Sequence, residues 1–198
     1  MEKLYKNIFR AENMEERNKQ NKIKNYWHEF YELLESFAIA IVLVILIFTL
    51  LFRIFVVKGP SMLSTLQDGD RILVSNLFFT PDTGDIIVFS GDYNDGEVLV
   101  KRVIGTHGDV VDITSTGDVV LNGEVLEEPY LDFGTLTATR DISFPYTVGE
   151  GELFVLGDNR EVSLDSRSSA IGPAETKKVL GKVIFRLFPN TGVVDDGK

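Results

Sequence analysis

From Ser36 to Val57 the chain reads SFAIAIVLVILIFTLLFRIFVV, with Arg53 as its only charge. A helix needs about 20 apolar residues to cross roughly 30 Å of hydrocarbon, so the run predicts one retained transmembrane anchor over 36–57, with Arg53 snorkelling near its end. Apolar residues cover every helical face, which disfavours the core helix of a soluble domain. A cleavable signal peptide is disfavoured too, because residues 1–35 precede the run and no small-x-small site follows it.

Residues 1–35 are polar, with Leu4, Ile8, Phe9, Tyr26, Trp27, Phe30 and Tyr31 spaced for an interfacial amphipathic helix. A frayed cytoplasmic tail is the competing reading. Beyond Gly69 the period changes to two. Gly-Asp followed by apolar or β-branched residues recurs at Gly69, Gly84, Gly108 and Gly117, at uneven spacings that mark turns feeding strands and not a repeat architecture. Asn122-Gly123 between VVL and EVL predicts a tight hairpin, and GEVLVKRVI, ELFVL and GKVIFRLF predict further strands. The expected fold is mainly β: an N-terminal transmembrane helix, then an all-β domain of packed antiparallel sheets over 58–198, with 105–151 a hairpin-bearing excursion from the main sheet.

Composition narrows the function. Without cysteine, the chain has no disulfide framework, thiol nucleophile or thiolate metal site. His28 and His107 lie on opposite sides of the anchor, which excludes zinc sites built on two or three histidines. A net charge of -10 argues against a nucleic-acid partner, since phosphate binding needs a basic surface. The excess of acid falls beyond the anchor. Arg17, Lys19, Lys22 and Lys24 before the run, against Arg53 and Lys58 after it, favour a cytoplasmic N-terminus and an extracytoplasmic acidic domain.

Ser61, in Gly59-Pro60-Ser61-Met62, follows the apolar run closely enough to act on substrates still held in the bilayer. A serine is a poor nucleophile until a base takes its proton. His107 is one candidate base, in the glycine-flanked turn Gly105-Thr106-His107-Gly108. Lys101 is the other: in GEVLVKRVI, strand alternation places it on one face with Leu99 and Val103. About one lysine in 2,500 is neutral at pH 7, so a base role requires a pKa drop of roughly 3 units, costing the fold about 4 kcal/mol. A surface strand lysine is the plain alternative. A third polar stretch, GDNREVSLDSR over 157–167, follows the apolar ELFVL and is dense in groups able to orient an amine.

GPSM after a membrane span, then KRVIG, then GDNREVSLDSR resembles the bacterial type I signal peptidases, membrane serine proteases with a Ser-Lys dyad. The resemblance implies that Ser61 is the nucleophile and Lys101 the general base, and that Ser163 orients the lysine amine. It implies that Asp158, Asp165, Arg167 and Arg102 brace the site, through pairs such as Asp158 with Arg102 and Asp165 with Arg167. Gly59 stands where some relatives carry a serine as a second oxyanion donor and others a glycine. The implied activity is removal of signal peptides from precursors after an Ala-x-Ala pattern, without metal or organic cofactor. The implied partners are signal-peptide-bearing precursors and membrane lipid. An extended peptide adding as a strand makes Val57, Met62, Leu99 and Val100 candidates for the walls of shallow substrate pockets.

The chain departs from the family pattern at three places. Ser64 replaces a proline, Ser168-Ser169-Ala170 replaces an aromatic pair, and Thr83 replaces an arginine. Ser64 thereby becomes a rival nucleophile. Two other functions compete: a non-catalytic relative acting in assembly of surface fibres or secretion machinery, and a Ser-His hydrolase using His107.

Overall fold

The computed structural model describes residues 2–77, 79–91 and 96–194, and within the first helix the side chains of 2–13, 21 and 23 are not described. The chain divides into two compact units, 1–50 and 51–198. The first is a single helix, α1 (Glu2–Leu51), whose stretch 14–51 is long and apolar enough by length and composition to cross a membrane. Trp27, Phe30 and Tyr31 form one aromatic group on it, with ring centroids 6.0 to 6.3 Å apart. Leu4, Ile8 and Phe9, expected on the same amphipathic helix, fall outside the described side chains.

The helix ends earlier than the apolar run. Phe52–Val56 is strand β1, paired antiparallel with β2 (Arg71–Ser75) from Phe52 opposite Ser75 to Val56 opposite Arg71. Arg53, expected at the end of the anchor, is therefore an exposed strand residue. Aromatic and β-branched residues serve a strand as well as a bilayer, so an unbroken apolar run does not mark where helix gives way to strand.

The remaining strands are β3 (Ile86–Ser90), β4 (Val98–Gly105), β5 (Val110–Ile113), β6 (Val119–Leu121), β7 (Glu124–Val125), β8 (Tyr146–Thr147), β9 (Glu152–Leu156), β10 (Ala174–Glu175), β11 (Val179–Phe188) and β12 (Gly192–Val193). Among the described residues they form two antiparallel sheets. The larger has the order β1-β2-β11-β3-β4-β9-β10, with β12 on β11; the smaller is β7-β6-β5-β8. The larger sheet is long-range in sequence, since β11 closes between β2 and β3. One core cluster joins Val57, Met62, Leu66, Ile72, Val74, Ile86, Val88 and Val183, and a second gathers Ile87, Phe89, Val103, Leu153, Val155 and Ala174. A third packs Val111 and Val119 of the smaller sheet against Ile104, Phe154 and Leu156 of the larger.

The four recurring Gly-Asp dipeptides share a glycine conformation, and three of them share an aspartate bond, while Asp118 accepts from the Thr114 and Thr116 hydroxyls. Each glycine lies at φ between +86° and +92°, a left-handed conformation that L side chains resist. The aspartate after it accepts the main-chain N–H three residues earlier at 2.9 Å for Asp70, 2.9 Å for Asp85 and 2.7 Å for Asp109. Asn122 and Gly123, both at positive φ, close the two-residue hairpin between β6 and β7.

Candidate active site

Ser61 lies in the turn that leaves β1. Gly59 at φ +80° redirects the chain, with its N–H donating to Asp68 Oδ1 at 2.7 Å. Leu66 N–H then closes on Met62 O at 2.8 Å. The main-chain carbonyl of Ser61 accepts the Asn159 N–H at 3.0 Å, and Pro60 O accepts the Asn159 side-chain amide at 3.1 Å. The backbone of Ser61 is thus pinned by the loop after β9.

Lys101, on β4 opposite Ile87, reaches this turn: its Nζ lies 2.9 Å from Ser61 Oγ. The side chain is 3% exposed. Burial holds its pKa down to about 8, against the opposing charges of Asp165, Asp158 and Glu97. A pair in hydrogen-bond contact, with the amine brought near neutrality, is the arrangement a serine nucleophile needs.

Behind the pair, two buried arginine–carboxylate forks hold the loop 157–167. Arg102 Nε donates to Asp158 Oδ1 at 2.9 Å and its Nη2 to Oδ2 at 2.8 Å, with both side chains fully buried. Arg167 makes the same fork on Asp165, at 2.8 and 2.9 Å, and also donates to Arg160 O at 2.8 Å. Asp165 in turn accepts the Gly157 N–H at 3.1 Å. These distances suit bidentate charge-assisted bonds, which alone make buried charge tolerable.

Ser163 is fully buried, yet its Oγ has no hydrogen-bond partner among the described residues. The bond to the lysine amine that the resemblance implies is not made here, because Lys101 Nζ is turned to Ser61. The hydroxyl nevertheless stays near the Ser61 carbonyl. A Cβ added at Gly157 would meet Ser163 Oγ at 2.1 Å and Ser61 O at 2.5 Å.

A cleft of about 410 Å³ opens beside the pair, walled by residues 55–58 on one side and 97–101 on the other, with Ser61 at its lining. Val57, Leu99 and Val100 line it. Met62 does not: it is fully buried in the first core cluster, because the turn after Ser61 folds it inward. Both walls are strand edges. Among the described residues β1 pairs only with β2, and β4 pairs with β9 only from Arg102 onward. Both main-chain groups of Val57 are bonded to Asp70 and Gly69, so strand alternation turns those of Val56 and Lys58 toward the cleft.

Ser64 takes φ +50°, a conformation closed to proline, so this turn is built differently from the one the resemblance implies. It lines two other clefts, neither lined by a lysine or histidine. His107 is exposed in the turn after β4, with no hydrogen bond to Ser61 among the described residues. Sequence reasoning missed Thr65, whose Oγ1 donates to Asp158 Oδ2 at 2.5 Å, and the Arg160–Glu128 ion pair. Arg160 stood in the third block, but nothing marked Thr65 or Glu128.

A family model described as signal peptidase, peptidase S26, matches residues 30–188. The chain belongs to that family. It is 36% identical over 180 residues to a signal peptidase I of Bacillus licheniformis, covering 86% of this chain and 95% of that one. It is 34% identical over 178 residues to signal peptidase IB of Staphylococcus aureus, covering 81% and 91%. A solved signal peptidase I from Enterococcus faecalis is 31% identical and superposes with a TM-score of 0.44, covering 53% of this chain and 97% of that one.

Proposed function

We propose that this member of the signal peptidase family cleaves precursors with Ser61 as nucleophile and Lys101 as general base. The chain is a signal-peptide-removing serine protease by kinship over most of its length. The observation that carries the residue assignment is the 2.9 Å contact between Ser61 Oγ and a buried Lys101 Nζ at the edge of a two-walled cleft. A non-catalytic assembly factor is not favoured, since it gains nothing from a desolvated lysine beside a serine.

The precursor binds as an added strand between the cleft-lining stretches 55–58 and 97–101, its small side chains entering the cleft near Val57, Leu99 and Val100. Neutral Lys101 takes the proton from Ser61 Oγ as the oxygen attacks the scissile carbonyl carbon. The Ser61 main-chain N–H donates to the oxyanion. The Lys101 ammonium then protonates the departing amine of the mature protein, leaving the signal peptide esterified to Ser61. A water deprotonated by Lys101 hydrolyses the ester. Once Ser61 is acylated, the lysine loses its partner and donates instead to the Ser163 hydroxyl, which has no other partner among the described residues. The helix α1 anchors the enzyme in the membrane lipid, N-terminus in the cytoplasm, with the β domain outside, where translocated precursors present their cleavage sites.

The test incubates the detergent-solubilised protein with an Ala-x-Ala precursor, comparing wild type with Ser61→Ala, Lys101→Ala, Ser64→Ala and His107→Ala. Loss of cleavage is expected in the first two alone. Wild-type rates in Lys101→Ala would reject the dyad, and inactivity of the wild type on every precursor would favour the assembly factor.

A further inference from the structure

The connection from β7 to β8 sends one short strap, Glu128-Pro129-Tyr130, onto the two arginines behind the dyad. The Tyr130 ring lies against the Arg102 guanidinium, 3.6 Å from its carbon to the ring centroid. Glu128 forks onto Arg160: Oε2 accepts from Nη1 at 3.0 Å and Oε1 from Nη2. The Tyr130 hydroxyl ties the two together by donating to Glu128 Oε1 at 2.7 Å. Burial, then the Glu128 charge, push the phenol far up, so it keeps that proton. Arg160 also donates from Nε to Gly157 O at 3.1 Å. The strap therefore touches both ends of the brace, Arg102 before Asp158 and Arg160 within the loop.

We propose that Tyr130 is a positioning residue for the cleavage reaction, whose ring seals and seats the Arg102–Asp158 pair so that the dyad stays dry, with Glu128 holding the neighbouring loop through Arg160. This rests on the Ser61–Lys101 reading of the site. A guanidinium covered on one face by an aromatic ring is held and shielded from water at once. Lys101 faces Asp158 and Asp165 from the loop and Glu97 from its own strand, and burial is what outweighs them. Removing the ring admits water behind Arg102 and frees it from Asp158. Both changes favour the ammonium, so the acidic limb of the rate profile moves to higher pH.

The experiment measures kcat and KM against pH for the full-length protein in detergent with an Ala-x-Ala precursor. For Tyr130→Leu, kcat falls about tenfold at pH 7, the loss shrinks toward pH 9.5 and KM changes by less than about twofold. Tyr130→Phe keeps the ring and restores most of the rate. Tyr146→Leu, an aromatic truncation in the smaller sheet, lowers the melting temperature without moving the profile. If Tyr130→Leu does not fold, Tyr130→Met carries the same prediction. A loss equal at every pH, or a Tyr130→Phe as impaired as Tyr130→Leu, overturns the proposal while leaving the dyad standing; wild type that fails to cleave removes the dyad reading itself.

Discussion

In the smaller sheet no charged residue of β5 to β8 is buried, whereas β4 of the larger sheet buries Lys101 and Arg102 side by side. Both sheets begin from the same Gly-Asp turns and the same β-branched strands. The smaller uses them conventionally, with valines inward and polar groups in water. The larger spends stability on its buried charges, because a lysine turned toward neutrality and the ions that brace it are useful only where water is excluded. Function sits where the fold is least economical.

The contrast breaks most plainly at the dyad. Ser61→Ala and Lys101→Met each lower kcat by on the order of 10³-fold or more. The two differ in stability. Holding the amine at about 8 instead of 10.5 costs the fold about 3 kcal/mol at neutral pH. Between those values the unfolded lysine still binds its proton and the folded one does not, so stability rises with pH through the window and the cost is fully present below it. Lys101→Met therefore raises the urea midpoint measured at pH 7, and an unchanged or lowered midpoint contradicts the desolvation argument.

Removing one ion of the brace acts the other way. Arg102→Met leaves Asp158 buried without its counter-ion and destabilises by about 3 to 5 kcal/mol, read as a drop in the urea midpoint. The pH profile of the wild type comes next in size: kcat/KM climbs about tenfold per pH unit below 8 and levels above it, and a flat profile from pH 6 to 9 contradicts a lysine base. Ser163→Ala sharpens the contrast at smaller scale. It removes an unpartnered buried hydroxyl, so stability rises by about 1 kcal/mol while deacylation, followed in single turnover, slows. Gly123→Ala in the exposed hairpin costs about 1 kcal/mol, since its φ of +88° resists a side chain, and leaves the cleavage rate unchanged.

Strands β2, β3, β5, β6 and β7 were legible because each follows a Gly-Asp or Asn-Gly turn that announces itself chemically, whereas β8, β10 and β12 are two residues long, too short to show a period. The meeting of Ser61 and Lys101 was legible because a three-block pattern carries it. What the sequence hid was of two kinds. The boundary at Phe52 was invisible because membrane helix and first strand draw on the same apolar residues. Met62 was misplaced, and Thr65, Glu128 and Tyr130 went unnoticed, because whether a side chain faces cleft or core depends on contacts tens of residues away, such as the 93 between Thr65 and Asp158.

Gly157 has no chemistry of its own, yet a methyl group there would strike both Ser163 and the carbonyl of Ser61. Gly59 has no atom within 4 Å of the corresponding position. In a saturation library selected for growth on secretion, Gly59 should accept asparagine or aspartate, residues that tolerate its backbone angle, whereas every codon at Gly157 except glycine should vanish. Heredity would then single out, as strictly as Ser61, a residue that does not line the cleft.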